Sequence, residues 1–298
     1  VPGGADLPAA RRSGLRRAVL RWGEVNRRDL PWRETRDPWA VLVSEVMLQQ
    51  TQVVRVLEPY GRFLERFPDP AACAAAPVGD VVRAWEGLGY HRRALSLHRA
   101  ARAVVERHSG RVPATRRALQ SLPGIGPYTA RAVVAFAYEL DTGVVDTNVA
   151  RLLARAVAGR ALGSAEAQCL ADRLVPPGRA WAFNQALFDL GAAHCTSRAP
   201  RCGTCPLRRR CAWAVTGHPD PDPAPGSAGT ARPQRPFAGS DRQGRGRLLA
   251  ALRRGGVARR DLAPAAGWPD DVARACRVTE GLVAEGFARW EQDALVLA

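Results

Sequence analysis

Four of the seven cysteines, Cys195, Cys202, Cys205 and Cys211, follow one another as C-x6-C-x2-C-x5-C, while Cys73, Cys169 and Cys276 are scattered. This spacing constrains the fold more than any other feature. Clustered thiols in a reducing compartment usually converge on metal, and the chain between them must then close into short loops around it. Spacing alone admits two occupants. Zinc commonly takes two C-x2-C pairs, whereas this segment has one such pair flanked by longer loops, which suit an iron–sulfur cubane. Arg198, Arg201, Arg208, Arg209 and Arg210 lie inside those loops, so a metal-fixed loop would present cations to phosphate. The three scattered cysteines read as inert core residues.

Across the 298 residues, 44 basic side chains face 28 acidic ones, a formal net charge of +16, and every basic residue is arginine. Codon bias in a GC-rich genome accounts for the missing lysine. The chemical consequence holds regardless of cause: no lysine Schiff base, phosphate-loop lysine or lysine general base is available. Residues 1–218 carry 32 arginines and 18 acids, and residues 219–298 carry 12 and 10, so the basic surplus belongs to the first part. Such a field attracts polyanions and makes nucleic acid the expected partner. With 46% apolar and 24% charged residues the chain is globular. No apolar run approaches the roughly 18 residues of a membrane span, and VPGGADLPAARRSG has no apolar signal core. The expectation is a soluble cytoplasmic protein without a membrane partner.

Pro, Gly, Ser and Ala dominate 218–236, which predicts a flexible linker over 218–240 between a unit of residues 1–217 and a small one of 241–298. Upstream, helical periodicity recurs between short breaks and alternating strand patterns are nearly absent, so the fold class is mainly α. Asp37-Pro38 reads as an N-cap and first-turn proline, with VLVSEVMLQQTQVVRVLEPYGRFLERF continuing the helix through a bend. Downstream, RQGRGRLLAALRRGG, VARRDLAPAAG and WPDDVARACRVTEGLVAEG read as three helices and FARWEQDALVLA as a hairpin. Together they predict a small winged-helix-like domain.

Leu122-Pro123-Gly124-Ile125-Gly126 stands between two helical segments. Two glycines around one apolar residue make a tight turn whose N–H groups, at the start of the next helix, can approach a phosphate closely while Ile125 anchors the turn. This is the helix-hairpin-helix pattern. An ordinary glycine-capped connection has a similar string, but the arginine-rich cysteine loop beside it favours DNA.

From about Leu30 to Trp213 the chain resembles the base-excision DNA glycosylases that combine a helix-hairpin-helix with an iron–sulfur cluster. The segments LPWR (30–33), SEVMLQQTQV (44–53), WEGLGY (85–90), LPGIGPYTA (122–130), VDTN (145–148) and FNQALFDLGA (183–192) look like the MutY-type adenine branch. The endonuclease III branch carries a lysine nucleophile just after the hairpin, where this chain has Tyr128. The resemblance implies a two-lobed helix-hairpin-helix glycosylase fold, with a six-helix lobe over about 30–140 and a cluster lobe from 1–29 and 141–217. It also implies one [4Fe-4S] cluster on Cys195, Cys202, Cys205 and Cys211. The expected partner is double-stranded DNA containing adenine opposite 8-oxoguanine or guanine, bound by a monomer at the nucleoid.

The same resemblance assigns roles. Glu45 matches the general acid that protonates the departing adenine, and its apolar neighbours Val43, Val46, Met47 and Leu48 are expected to keep it protonated near neutrality. Asp146 matches the carboxylate that stabilises the oxocarbenium-like sugar. Tyr128 resembles a tyrosine at the transition-state region, and Asn148 an asparagine that orients water or Asp146, with Thr147 standing where the family has glycine. Trp32, Arg33 and Gln185 resemble the lining of an adenine pocket. Gln50, Thr51, Leu88 and Tyr90 resemble residues that enter the duplex around the partner base once adenine is flipped out. Gly124, Ile125 and Gly126, with Arg198, Arg201 and Arg208, are expected to hold phosphates.

Without lysine no Schiff base forms with the opened sugar, so base hydrolysis without strand cleavage is expected. The C-terminal unit is too short for the Nudix-like domain with which many members recognise 8-oxoguanine. It reads as an extra DNA grip, a substitute lesion reader, or a structural cap. Two other readings stay open: an endonuclease III-like enzyme for oxidised pyrimidines, and a noncatalytic iron–sulfur DNA-binding protein.

Overall fold

Helices carry most of the chain in the computed structural model, which describes residues 7–227 and 236–298. The first six residues and the 228–235 part of the expected linker lie outside the described residues. In order, the helices are α1 (Ala9–Asn26), α2 (Pro31–Glu34), α3 (Pro38–Leu48), α4 (Leu57–Arg66), α5 (Pro70–Ala75), α6 (Val78–Ala84), α7 (Arg92–His108) and α8 (Arg116–Gln120). They continue with α9 (Pro127–Phe136), α10 (Thr147–Leu152), α11 (Ser164–Leu174), α12 (Ala180–Ala193) and α13 (Ala212–Val215). The C-terminal part adds α14 (Asp241–Arg254), β1 (Val257–Ala258), α15 (Leu262–Ala266), α16 (Val272–Glu285), β2 (Ala288–Glu291) and β3 (Ala294–Leu297).

Asp37 caps α3 as expected, its carboxylate accepting from the N–H groups of Trp39 (3.2 Å) and Ala40 (3.1 Å). The expected continuation through a bend is corrected. The helix ends at Leu48, Gln50 takes a left-handed φ of 55°, and the chain passes through a 3-10 turn (Val53–Arg55) before α4. A reversal of this kind at a non-glycine residue is invisible to apolar periodicity.

Two compact units divide the chain. One comprises residues 1–41, 114–120 and 126–232, and the other residues 42–113, 121–125 and 233–298. The division differs from the expected lobes, because α8 and α9 group with the cysteine-bearing helices and the C-terminal part groups with α4–α7. In the first unit α1 packs along α12. Gly23 is required there, since a Cβ would stand 2.5 Å from that of Ala186. Leu15, Val19, Val149, Leu153, Phe183, Leu187, Leu190 and Trp213 share its core. Beyond α10 the chain widens into a π-helical segment, Leu153–Ala158; such segments often mark functional sites.

The expected flexible linker is tied down over its first part. Trp213 Nε1 donates to the Pro219 carbonyl (2.9 Å), Ser227 Oγ accepts from Leu162 N–H (3.4 Å), and Ala224 is buried. A proline- and glycine-rich composition signals irregular backbone, but packing decides whether such backbone moves.

In the second unit, β1, β3 and β2 form an antiparallel sheet in that order, flanked by α14, α15 and α16. This is the winged-helix-like arrangement, with one addition: the two-residue β1 lies in a stretch read as purely helical. The subdomain packs on α6 and α7, and Val82 and Leu95 join its core of Leu248, Leu252, Leu282, Phe287 and Leu295. Of the scattered cysteines, Cys73 is buried and burial pushes its thiol up to about 12. Cys169 is exposed and Cys276 half-buried, so the core assignment holds for Cys73 alone. No helix among the described residues is long and apolar enough to cross a membrane.

Candidate active site and cysteine loop

Asp146 is the N-cap of α10. One carboxylate oxygen accepts from Val149 N–H at 2.7 Å and the other from the Asn148 amide at 2.8 Å. Burial raises the carboxyl above its ordinary range, against the opposing pull of those two donors. Asn148 accepts in turn from Arg151 Nη2 (2.7 Å), and Arg151 Nε donates to the Cys195 carbonyl (3.1 Å). Hydrogen bonds therefore link Asp146 to the cysteine loop; among the described residues no arginine forms an ion pair with the carboxylate, and Arg151 acts on it only through its charge, from beyond Asn148. Thr147 is not among the residues at positive φ, so its backbone makes no demand for the family's glycine. Gly191 of α12 does meet a demand, since a Cβ there would lie 3.0 Å from Asn148. The segment leading to Asp146 hangs on Asn184, fully buried, which accepts from Val144 N–H (2.9 Å) and donates to the Thr142 and Ala180 carbonyls.

Cys195, Cys202, Cys205 and Cys211 line one small cavity of about 30 Å³ with Leu152, Leu190 and Leu207. Burial first, then the neighbouring thiols, raise Cys195, Cys205 and Cys211, with Cys205 pushed up to about 11. Among the described residues no three His, Cys, Asp or Glu side chains converge on a point that would hold a single metal ion. The donor set is four soft thiols arranged around a space. Arg155, in the π-helical segment and 1% exposed, secures this wall. It pairs with both oxygens of Asp222 (2.8 and 2.5 Å), donates to the Thr196 and Ser197 carbonyls (2.6 and 3.2 Å), and reaches Cys195 Sγ at 3.5 Å. Arg198, Arg201 and Arg208 are all exposed.

Trp32 and Gln185 are buried in the same unit. Arg33 is buried too, but its guanidinium is committed to Asp189 at 2.7 and 3.0 Å and to the Arg28 carbonyl at 2.9 Å. Burial raises Asp189, and the hydrogen bonds and charge of Arg33, with help from Arg28, outweigh it and hold the carboxyl below its ordinary range. Arg33 thus anchors α2 to α12, while its buried Nε has no hydrogen-bond partner among the described residues. Tyr128 is half-buried in the first turn of α9, and Gly126 is that helix's N-cap.

In the second unit Glu45 is 6% exposed among Leu42, Val43, Val46 and Met47. In the hairpin turn Gly124 has φ 77°, and a Cβ there would meet Ser96 Cβ at 2.5 Å, while Ile125 is buried. Gln50 and Tyr90, at φ 55° and 45°, are two of six described non-glycine residues in the left-handed region, where each costs about 1 kcal/mol or more. Tyr90 is 47% exposed but Leu88 only 1%. This corrects the expectation that both enter the duplex, because the loop's geometry turns Leu88 into the core.

Arg93 joins the two left-handed turns. Its Nη1 donates to the carbonyls of Val46 (3.0 Å), Met47 (2.7 Å) and Gln49 (2.5 Å). Its Nη2 donates to Thr51 Oγ1 (2.9 Å) and to the Leu88 and Gly89 carbonyls (both 3.1 Å). Sequence reasoning missed Arg93, Arg155, Asp189 and Asn184. For Arg155 a signal existed, an arginine inside the apolar run LLARAVA; an arginine among 44 gives no comparable signal at Arg93.

A family model described as HhH-GPD superfamily base excision DNA repair protein matches residues 43–176. The adenine DNA glycosylase of Mycobacterium tuberculosis is 46% identical over 277 residues, 90% of this chain and 88% of that protein. The Homo sapiens adenine DNA glycosylase is 42% identical over 67% of this chain and 39% of that protein. Among solved structures, a thermostable thymine-DNA glycosylase is similar with a TM-score of 0.65 and 31% identity, covering 70% of this chain and 98% of that one. An endonuclease III–DNA covalent intermediate has a TM-score of 0.58 at 22% identity over 69% of this chain and 97% of that one, a likeness of fold.

Proposed function

The chain belongs to the adenine DNA glycosylases of the HhH-GPD superfamily, and from that membership we propose how it works and on what. It is a base-excision repair enzyme that hydrolyses the N-glycosidic bond of adenine. Its substrate is adenine opposite 8-oxoguanine or guanine in duplex DNA, which it binds as a monomer. The observation that carries the mechanism is Asp146: a carboxylate raised by burial, oriented by Val149 N–H and the Asn148 amide, with no cation directly upon it. A positive charge developing on the sugar is the counterion that such a group lacks, so the stabilisation is felt mainly in the transition state.

Glu45 supplies the proton. Adenine leaves poorly as an anion, and protonation at N7 makes it a neutral leaving group as the bond to the sugar breaks. Asn148 holds Asp146 in register and orients the attacking water, and Tyr128 bounds the sugar side. Trp32 and Gln185 receive the flipped base, the indole replacing lost stacking and the amide meeting the base edge, with Arg33 holding Trp32 against α12. Gln50, Thr51 and Tyr90 meet the duplex around the partner base. Gly124, Ile125 and Gly126, together with Arg198, Arg201 and Arg208, hold the phosphates. With no lysine in the chain, the product is an abasic site in an unbroken strand.

Cys195, Cys202, Cys205 and Cys211 would hold one [4Fe-4S] cluster. Four thiols lining one small cavity, with a single C-x2-C pair flanked by longer loops, are a donor set that suits a polynuclear iron–sulfur group. When bound, the cluster supplies a rigid cross-link for the arginine-bearing loop. Visible absorption and iron content distinguish it from zinc.

The decisive assay uses a duplex with adenine opposite 8-oxoguanine, treated with alkali only after the reaction. Wild type is expected to yield strand breaks only after alkali, and Glu45→Gln and Asp146→Asn to lose at least about 10³-fold in rate. No adenine release by wild type, or equal release by both variants, overturns the reading.

A further inference from the structure

The left-handed residues Gln50 and Tyr90 need surroundings that over-determine them. Those surroundings are the seven acceptors of Arg93, which lie on both sides of Gln50, just before Tyr90 and, through Nε at 3.4 Å, on the Tyr90 carbonyl itself. Arg93 is the second residue of α7, so the first turn of α7 sets where its guanidinium points. That turn is held from outside.

Arg92, 75% exposed, donates through Nε and Nη2 to both oxygens of Glu285 at 2.7 Å. Glu285 is the last residue of α16 in the C-terminal subdomain. The same carboxylate accepts from Arg245 of α14 at 3.1 and 2.8 Å, and the Glu285 carbonyl accepts from Arg99 at 2.9 Å. On the other flank, Gly79 N–H donates to the Ala298 carbonyl at 2.5 Å, and Arg253 Nε to the Val82 carbonyl at 3.3 Å. The subdomain therefore grips both α6 and α7, whose connection is the loop that carries Tyr90.

We propose that the C-terminal subdomain governs mispair recognition without touching DNA: Glu285, by clamping Arg92, is a positioning residue that fixes Arg93 and, through it, the conformations of Gln50 and Tyr90. The inference rests on the proposed function, in which those two residues meet the duplex. One carboxylate shared by two arginines on a near-neutral subdomain suits a brace. A phosphate grip would instead use the exposed Arg254, Arg260 and Arg277.

The test uses the full chain and duplexes containing a non-hydrolysable adenosine analogue, either opposite 8-oxoguanine or correctly paired, titrated at several salt concentrations. Adenine release is measured in parallel on normal duplexes. Glu285→Ala and Arg92→Met, each alone, are expected to weaken mispair binding about tenfold while the single-turnover rate at saturation stays within about threefold of wild type. Glu285→Asp recovers part of the loss. The slope of affinity against salt stays at the wild-type value, because no phosphate contact is removed. The triple variant Arg254→Met, Arg260→Met, Arg277→Met binds as wild type does.

Wild-type mispair binding in both Glu285→Ala and Arg92→Met would overturn the inference. So would a shallower salt slope in Arg92→Met or in the triple variant, which would make the region a DNA grip. If Glu285→Ala does not fold, Arg92→Met at its exposed site decides alone. Absence of adenine release by wild type is a separate result that sinks the proposed function itself.

Discussion

Arg155 and Arg93 are both buried, yet they are satisfied in opposite ways. Arg155, in the cysteine-bearing unit, meets the Asp222 carboxylate on two bonds as well as Cys195 Sγ. Arg93, in the other unit, donates to six carbonyls and one hydroxyl. Burial pulls both guanidinium groups down. For Arg155 the hydrogen bonds and charges of Asp222 and Cys195 more than offset it and leave it above its ordinary value, while Arg93 stays lowered to about 10. The charged arrangement pins remote segments together: the cysteine loop, the π-helical segment and the strap at Asp222. The neutral fan of carbonyls dictates the conformation of two short turns. An ion pair is strong but tolerant of angle, whereas a fork of N–H groups aimed at carbonyls specifies backbone geometry.

The contrast is sharpest under substitution of the charged member. Arg155→Met leaves Asp222 without its partner and two loop carbonyls without donors, and is expected to cost about 3 kcal/mol or more. With the proposed cluster in place, purified protein should lose iron along with stability, read by metal analysis and thermal melting. A variant with wild-type iron content and melting point would dissolve the distinction. Arg93→Met removes hydrogen bonds to neutral acceptors, some of which water can replace, and the guanidinium's place over the Trp85 and Tyr90 rings, so about 2 kcal/mol is expected. Its mark is functional: mispair affinity falls while iron content is unchanged.

A third substitution probes the charged network at Asp146, its proposed catalytic end. The Asp146 carboxyl binds its proton more tightly in the folded chain than in the unfolded one. As pH rises from the unfolded carboxyl value near ~3.9 towards the raised folded value, the unfolded chain loses its proton first. Native stability therefore falls across that window and remains lower above it. Asp146→Asn, which keeps an N-cap acceptor, should melt higher than wild type by about 2–4 °C at pH 7, with the difference vanishing below about pH 4. Equal melting at both pH values would show that burial does not strain this carboxyl. The smallest effect belongs to Gln50→Gly. It relieves a left-handed side chain in the neutral network and should stabilise by under ~1 kcal/mol while lowering mispair affinity. A loss of stability would mean that the Gln50 side chain, and not its backbone, is what Arg93 secures.

Much of the fold was legible in the sequence. The N-cap at Asp37, the glycine turn before α9, the hairpin at the C-terminus and the mainly helical class follow from local rules of capping, φ and periodicity, and each is found. The exceptions have one cause. The helix expected to bend stops at Gln50, Leu88 turns inward, Arg33 is spent on Asp189, and the supposed linker is pinned by Arg155 and Trp213. In each case contacts made only in the folded chain, several of them with partners far along it, override a local preference.

Two features of this protein were settled by the sequence alone. A chain without lysine cannot form a lysine Schiff base in any fold, and its four clustered cysteines stay within one short segment, residues 195–211, wherever that segment lies. Only the tertiary structure decided which of 44 arginines are structural and what each holds, because a guanidinium's role is set by its acceptors. For Arg93 those come from segments up to 47 residues away, and for Arg155 from a carboxylate 67 residues away.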